Sequence, residues 1–211
     1  MRTPKIDKSD PTDRLVADEL REALGACTIG REIVVLEETV STNDSVLQRA
    51  MFNTPEGLVV FAERQTAGRG QRGNPWESAA HKGLWFSILL WPKVDISDSG
   101  GLTVWAAEAI AQTFAQEFAL TVTVKPPNDI CVSGKKIAGV LVEMRAQQNA
   151  PHVAICGIGI NINHRLEDFS EELRARAASL AMVLDQQVDR QNFAIALLRN
   201  LDRAYREIFR S

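Results

Sequence analysis

The chain has 211 residues, enough for one domain with a sizeable core, and its 45% hydrophobic and 24% charged residues are typical of a soluble globular protein. Its net charge of −3 gives no overall positive field of the kind that grips nucleic acid. The cysteines and histidines show no metal-ligand or disulfide spacing, and no apolar run is long enough to span a membrane. We therefore expect a cytoplasmic protein without a structural metal.

The apolar pattern predicts helices and strands after a polar lead over residues 1–12. In chain order these are a helix over 13–24, a strand over 33–38, a helix over 44–50, strands over 57–63 and 84–91, a helix over 102–120, a strand over 121–125, a hairpin over 130–145 with its turn at Ser133-Gly134, a strand over 152–162, and helical segments over 171–184 and 190–209. Several strands are joined by short turns, which favours a mixed, largely antiparallel sheet flanked by helices, an α+β fold.

The stretch GRGQRG, Gly68 to Gly73, matches the G-x-G-x-x-G pattern of dinucleotide-binding loops. That pattern holds a pyrophosphate only when a helix begins directly after the glycines. Here NPWESAAHKG follows, and then a strand, so the dinucleotide interpretation fails. A glycine-rich loop with Arg69 and Arg72 remains, which suits an anionic ligand. Taken alone, it fits a solvated surface loop equally well.

Three further segments carry the same kind of signal. KPPND (125–129) ends a strand with Lys125 before a rigid turn, which suits a cation aimed at one point. KKIAGVLVEM (135–144) and GIGININ (157–163) place glycines inside strands, where glycine often marks the close approach of a ligand or another backbone. Each segment by itself also fits a purely structural role.

Together with STND (41–44), AERQTAGRGQRGNPW (62–76) and KGLWFSILLWP (82–92), these segments resemble the catalytic domain of the biotin–protein ligases over residues 33–163. The resemblance implies the biotin–lipoate ligase catalytic fold, which is similar to class II aminoacyl-tRNA synthetases. It implies that biotin and ATP form biotinyl-5′-AMP, from which biotin passes to a lysine of a biotin carboxyl carrier domain. Mg²⁺ is expected to accompany ATP.

The resemblance also implies a role for each matching residue. Lys125 and Arg69 are the expected catalytic cations. The expected biotin-binding residues are Ser41, Thr42, Asn43, Gln65, Arg69, Gly70, Gln71, Lys125 and Gly139. The expected ATP- and adenylate-binding residues are Gly68, Arg69, Arg72, Trp76, Asn128 and Asn161. Asp129 is a candidate for Mg²⁺ without an assigned role, Ser41 and Thr42 also fit a helix cap, and Trp76 also fits core packing.

The sequence departs from the family pattern in the loop, the lysine turn and the ends of the chain. Gln71 stands where an arginine is frequent, and Pro126 where a tryptophan is usual. We expect residues 1–32 to be a helical lead of the catalytic domain that fills 33–211, with neither a winged-helix domain nor a C-terminal β-barrel. A carrier domain is the expected partner, with no nucleic acid or membrane partner, and a homodimer is compatible with the sequence. The rival interpretations are a lipoate- or octanoate-type ligase, a non-catalytic biotin-binding regulator and, less well supported, a DNA-binding repressor.

Overall fold

The computed structural model describes residues 13–50, 54–96, 99–146 and 152–210, so the polar lead lies outside the described residues. The α-helices are α1 (Ala17–Leu24), α2 (Thr42–Arg49), α3 (Ser99–Phe118), α4 (Glu171–Arg174), α5 (Leu180–Leu184) and α6 (Arg190–Phe209). The strands are β1 (Glu32–Thr39), β2 (Leu58–Gln65), β3 (Gly68–Arg69), β4 (Pro75–Trp76), β5 (Gly83–Leu90), β6 (Thr123–Lys125), β7 (Asp129–Val132), β8 (Lys135–Arg145) and β9 (Val153–Asn161).

Seven of the described strands form one sheet in the order β1-β2-β5-β9-β8-β7-β6. The β1–β2 pair is parallel and every other neighbouring pair is antiparallel. The predicted α+β fold with a mixed, largely antiparallel sheet is therefore confirmed. The remaining strands, β3 and β4, form a small separate hairpin.

The two faces of the sheet are covered differently because side chains alternate along each strand. On one face, residues such as Phe86 and Ile158 join the large core together with Phe114 of α3 and Leu197 of α6. On the other face, a smaller apolar cluster forms around Val46 of α2. The glycines of β8 and β9 lie on this second face, where the β3–β4 hairpin approaches them.

Most predicted elements are present within a few residues of their expected ends. The turn of the β7–β8 hairpin lies at Ser133 and Gly134, whose φ angles of 48° and 81° are left-handed. The predicted Gly/Arg loop differs, because it contains the β3–β4 hairpin. The segment 171–184 is interrupted between α4 and α5, where Ala177 forms a parallel bridge with Lys136 of β8. Main-chain hydrogen bonds to a strand replace helical ones at this point.

Candidate active site

The floor of the candidate site is made by glycines on adjacent strands. Gly139 of β8 pairs with Gly159 of β9, and Trp85 of β5 continues the same cross-strand row. The indole of Trp76 lies directly on this floor. A Cβ on Gly139 would come within 2.9 Å of the Trp76 ring, and one on Gly159 within 2.5 Å. The close approach inferred from these glycines is therefore made by the side chain of Trp76.

The β3–β4 hairpin positions Trp76. Gly68 pairs with Trp76, and the amide of Gly70 donates a hydrogen bond of 2.7 Å to the carbonyl of Asn74. A Cβ on Gly68 would come within 2.7 Å of the Trp76 carbonyl oxygen, so this approach requires glycine. Gln71 and Arg72 form a single 3-10 turn at the hairpin tip, outside both cavities described below. Their predicted ligand contacts remain predictions.

A slot of about 420 Å³, counting its open mouth, lies beside Trp76. It brings together most of the residues predicted to bind biotin, although these come from separate segments of the chain. Its lining includes Ser41, Thr42, Asn43, Gln65, Arg69, Gly70, Trp76, Asn128, Lys136, Gly139, Gly157 and Gly159.

One end of the slot is a buried network of neutral polar groups. The Gln65 amide oxygen accepts hydrogen bonds from the Thr42 amide at 2.9 Å and the Thr42 hydroxyl at 3.1 Å. The Ser87 hydroxyl lies 2.7 Å from Thr42 Oγ1 and 2.5 Å from Asn43 Oδ1. Gly157 leaves room for Asn43, because a Cβ there would come within 2.3 Å of Oδ1. The Ser41 hydroxyl forms no capping bond to α2.

A lysine lies at the other end, and it is Lys136 rather than Lys125. Lys136 Nζ is 3.2 Å from the ideal Cβ position of Gly139, 5.0 Å from the centre of the Trp76 ring and 2.6 Å from Asp129 Oδ1. Lys125 is exposed and pairs with Asp129, which pairs with Gly139 in turn. Two strand spacings of about 4.8 Å therefore separate the backbones of Lys125 and Gly139. The structure does not bring Lys125 to the slot, and its predicted role remains a prediction.

The alternation of strand residues explains why the sequence did not indicate Lys136. Strict alternation along β8 places Lys136 and Gly139 on opposite faces. The register shifts at Ile130 and Cys131, which pair with Ala138 and Lys136, so that one extra residue of β8 stands in this interval. Such a bulge returns Lys136 to the face that carries Gly139. The paired lysines at 135 and 136, directly before a glycine-containing strand, were the available signal.

A second cavity of about 1280 Å³, counting its mouth, adjoins the slot. Trp76 and Lys136 line both cavities, so they stand between them. Lys125, Asn161, Phe169 and Arg176 are among the other lining residues. Asn128 and Asn161 each donate through the side-chain nitrogen to a main-chain carbonyl, that of Val140 at 2.7 Å and that of Ala178 at 3.0 Å.

Arg69 lines the slot, but its charge is engaged by carboxylates. Its two terminal nitrogens lie 2.7 Å from the two oxygens of Asp44, and Nη2 is 3.6 Å from Glu143 Oε2. Hydrogen bonding from Arg69 holds the pKa of Asp44 below its usual value, and hydrogen bonding to Asp44 raises the pKa of Arg69. This arrangement is a fork-shaped ion pair and not a free cation.

The described residues contain neither a metal-binding cluster nor a helix suited to a membrane. Among the described residues, no group of three or more His, Cys, Asp or Glu side chains could hold a metal ion. Asp129, the candidate for Mg²⁺, is paired with Lys136. Within the same ranges, no helix combines the length and the apolar character that a membrane crossing requires.

Comparison with known proteins agrees with this geometry. The model of the biotin/lipoate A/B protein ligase family matches residues 35–161, more than half of the chain. The chain belongs to this family. The matched region begins in β1 and ends in β9, so it contains the glycine floor, the β3–β4 hairpin and both ends of the slot.

Several ligases are similar to this chain in sequence or structure. The bifunctional ligase/repressor BirA of Bacillus subtilis is 34% identical over 194 residues, which are 92% of this chain and 60% of that protein. The biotin–[acetyl-CoA-carboxylase] ligase of Mycobacterium tuberculosis is 30% identical over 204 residues, 94% of this chain and 70% of that protein. The biotin protein ligase of Aquifex aeolicus, solved in complex with biotin and ATP, has a TM-score of 0.73 and 28% identity and covers 86% of this chain and 73% of its own. The chain thus spans about 60% of the length of the BirA relatives from Bacillus.

Proposed function

We propose that this chain is an ATP-dependent biotin–protein ligase, which forms biotinyl-5′-AMP and then transfers biotin to a lysine of a biotin carboxyl carrier domain. One observation carries the proposal. A narrow slot has a neutral hydrogen-bonding network around Thr42 and Asn43 at one end and the ammonium of Lys136 at the other. Such a slot complements a ligand with a polar ring, an apolar chain and a terminal carboxylate, which is the chemistry of biotin.

Adenylation requires two negative groups to meet. A carboxylate oxygen of biotin attacks the α-phosphorus of ATP, a P–O bond breaks, and pyrophosphate leaves. The ammonium of Lys136, which lines both cavities, is suited to offset this charge because a fixed cation needs no reorganisation as the charge develops. Lys125 lines the second cavity and is suited to contact the polyphosphate. The nucleotide would occupy that cavity beside Asn161 and Phe169.

Transfer completes the reaction. The neutral amine of an acceptor lysine attacks the acyl carbon of biotinyl-5′-AMP, AMP leaves, and the amine proton passes to solvent or to a nearby base. The Trp76 indole lies on the glycine floor and lines the slot in which the anhydride would lie, so it would limit attack by water from that side. The names of the relatives support the acceptor class, and ATP chemistry of this kind leads us to expect Mg²⁺.

The first test separates the two half-reactions. The purified chain is incubated with biotin, Mg-ATP and a biotin carboxyl carrier domain, and pyrophosphate release and carrier labelling are followed independently. Both signals are expected. Biotin binding without pyrophosphate would contradict the enzyme and favour a biotin-binding regulator. Lipoate or octanoate consumption in preference to biotin would assign the chain to the lipoate-type branch of the same family.

A further inference from the structure

The side chain of Arg69 connects the β3–β4 hairpin to two other elements. Asp44, in the first turn of α2, holds the guanidinium through two hydrogen bonds of 2.7 Å. Glu143, near the end of β8, lies 3.6 Å from the same group. We call Arg69, Asp44 and Glu143 the Arg69 latch. The hairpin that carries Trp76 is thereby attached to the helix and the strand that border the slot.

The latch is continuous with the polar end of the slot. Asn43 donates a hydrogen bond of 2.6 Å from Nδ2 to Glu143 Oε2, and its Oδ1 accepts from Ser87 at 2.5 Å. The carboxylate of Glu143 accepts only, so it fixes which side of the Asn43 amide faces the Ser87 hydroxyl. The same carboxylate therefore contacts both the arginine of the hairpin and the amide that borders the ligand slot.

The charges argue against Arg69 as the cation that meets a substrate carboxylate. Two carboxylates surround the guanidinium, and the Asp44 pair uses both of its terminal nitrogens. A ligand anion at this point would have to displace Asp44 and would be repelled by Glu143. Lys136 pairs with Asp129 and lies beside Gly139 of the glycine floor, so it is the better placed cation.

We infer that Asp44 and Glu143 are positioning residues that act through Arg69, holding the β3–β4 hairpin closed over the slot and so slowing the release of bound biotin. The inference rests on the proposed function only in taking biotin as the ligand. The latch is about two-fifths exposed, with side-chain exposures of 37% for Arg69, 39% for Asp44 and 36% for Glu143. Solvent screening keeps such a pair modest in strength, which suits a closure that must reopen in each catalytic cycle.

The test compares Asp44→Asn and Glu143→Gln with wild type. Both changes keep the side-chain shape and remove one negative charge. We expect biotin to leave each variant roughly three- to tenfold faster than wild type, measured by stopped-flow tryptophan fluorescence. Higher salt should accelerate release from wild type and much less from Asp44→Asn. Combining Asp44→Asn with Arg69→Gln should add nothing to Arg69→Gln alone, because Arg69→Gln already removes the ion pair with Asp44.

Glu38→Gln is the matched control, since Glu38 forms an exposed ion pair of 3.0 Å with Arg64 on the neighbouring strand β2. Its release rate and salt response should equal those of wild type. A purely structural role for Asp44 would lower the unfolding temperature without producing the difference in salt response. Unchanged release from both latch variants would overturn the inference.

A ligand-free measurement separates this inference from the proposed function. Arg72 lies exposed in the 3-10 turn at the hairpin tip, and a trypsin site held in a turn is cut when the chain around it opens locally. We expect cleavage at Arg72, identified by mass spectrometry, to be several-fold faster in Asp44→Asn than in wild type or Glu38→Gln. Faster cleavage of Asp44→Asn, in a protein that does not retain biotin, would support the role of the Arg69 latch in closing the hairpin and contradict the proposed ligase function. Equal cleavage rates would refute the latch, whether or not biotin binds.

Discussion

Lys125 and Lys136 lie on the same face of the sheet but at different distances from the slot. Lys125 is at the outermost strand and exposed, whereas Lys136 contacts the Trp76 ring above the glycine floor. The sequence favours Lys125 because it precedes a rigid Pro-Pro turn. The structure favours Lys136 because a bulge in β8 turns it toward Gly139.

Exchanging each lysine for methionine distinguishes the two assignments. We expect Lys136→Met to slow biotin-dependent pyrophosphate release by about 10²- to 10³-fold, the scale for loss of one preorganised charge-stabilising group. Lys125→Met should have a much smaller effect on this rate and should act mainly on the KM for ATP. The reverse order, in single-turnover measurements with both proteins folded, would restore Lys125 as the principal cation.

The glycine floor gives a steric prediction. Gly159→Ala would place a methyl group within 2.5 Å of the rigid Trp76 indole, which then has to move. We expect biotin affinity to fall at least about tenfold, as in overpacked sites. Gly100→Ala is the control, since no atom of the described residues that could be met lies within 4 Å of its Cβ position in α3. It should bind biotin normally in equilibrium titration, and equal affinity in both variants would argue against a ligand that packs beside the Trp76 ring.

Individual elements follow local sequence signals except where another element supplies stronger contacts. Helix α6 begins after Asp189, whose side chain accepts from the amide of Asn192, and it runs over the predicted range 190–209. The segment 171–184 has a helical pattern but bends to pair with β8. The connection between β9 and α4 is held by a local ring contact, His164 stacked on Phe169 at 4.9 Å, and by a long-range one, His164 edge-on to Trp85 at 5.6 Å.

This connection makes stability depend on pH. Burial lowers the pKa of His164 from 6.5 to about 4, so the unfolded chain takes up a proton on this side chain before the folded one. The full stability of the folded state with its neutral, buried His164 is present above about pH 6.5, and this contribution is lost as the pH falls toward 4. When the pH is lowered from 7.5 to 5, we expect protonation of His164 in the unfolded chain to reduce the free energy of unfolding by about 2 kcal/mol.

His164→Phe should remove this part of the pH dependence while keeping the ring stacked on Phe169. Nδ1 of His164 has no hydrogen-bond partner among the described residues, so the replacement breaks no bond at that atom. Urea unfolding of both proteins at several pH values measures the difference. Parallel pH curves for wild type and variant would contradict the assignment.

Across the domain, a buried ionic cluster joins segments that are distant in the sequence. Arg190 of α6 is fully buried and donates to Glu63 Oε2 at 2.6 Å, to Asp13 Oδ1 at 3.0 Å and to the Gly83 carbonyl at 3.1 Å. Gly83 begins β5, which carries Trp85 and Ser87 to the site. The cluster therefore links the start of the described chain, the central sheet and the last helix.

Breaking this cluster should unfold the domain more readily. We expect Glu63→Gln to cost about 3–5 kcal/mol in the free energy of unfolding, because it removes the buried carboxylate from the guanidinium and leaves it only the more exposed Asp13 as a counter-charge. Glu38→Gln, which removes a partner from an exposed pair, should cost less than about 1 kcal/mol. Denaturant unfolding measures both, and equal losses would show that burial of Arg190 does not set the cost.

The sequence alone determined the fold class, most strands and helices and the family, because these depend on periodicity, turn residues and short motifs. It also brought Thr42, Asn43, Gln65 and Gly139 together as one site through the family resemblance. Tertiary structure alone decided which lysine reaches the floor, which carboxylates hold Arg69 and where Trp76 lies. These depend on a register shift in β8 and on contacts such as Asn43 to Glu143, 100 residues apart. Local sequence signals do not encode such pairings, because each is fixed by how distant strands and helices pack.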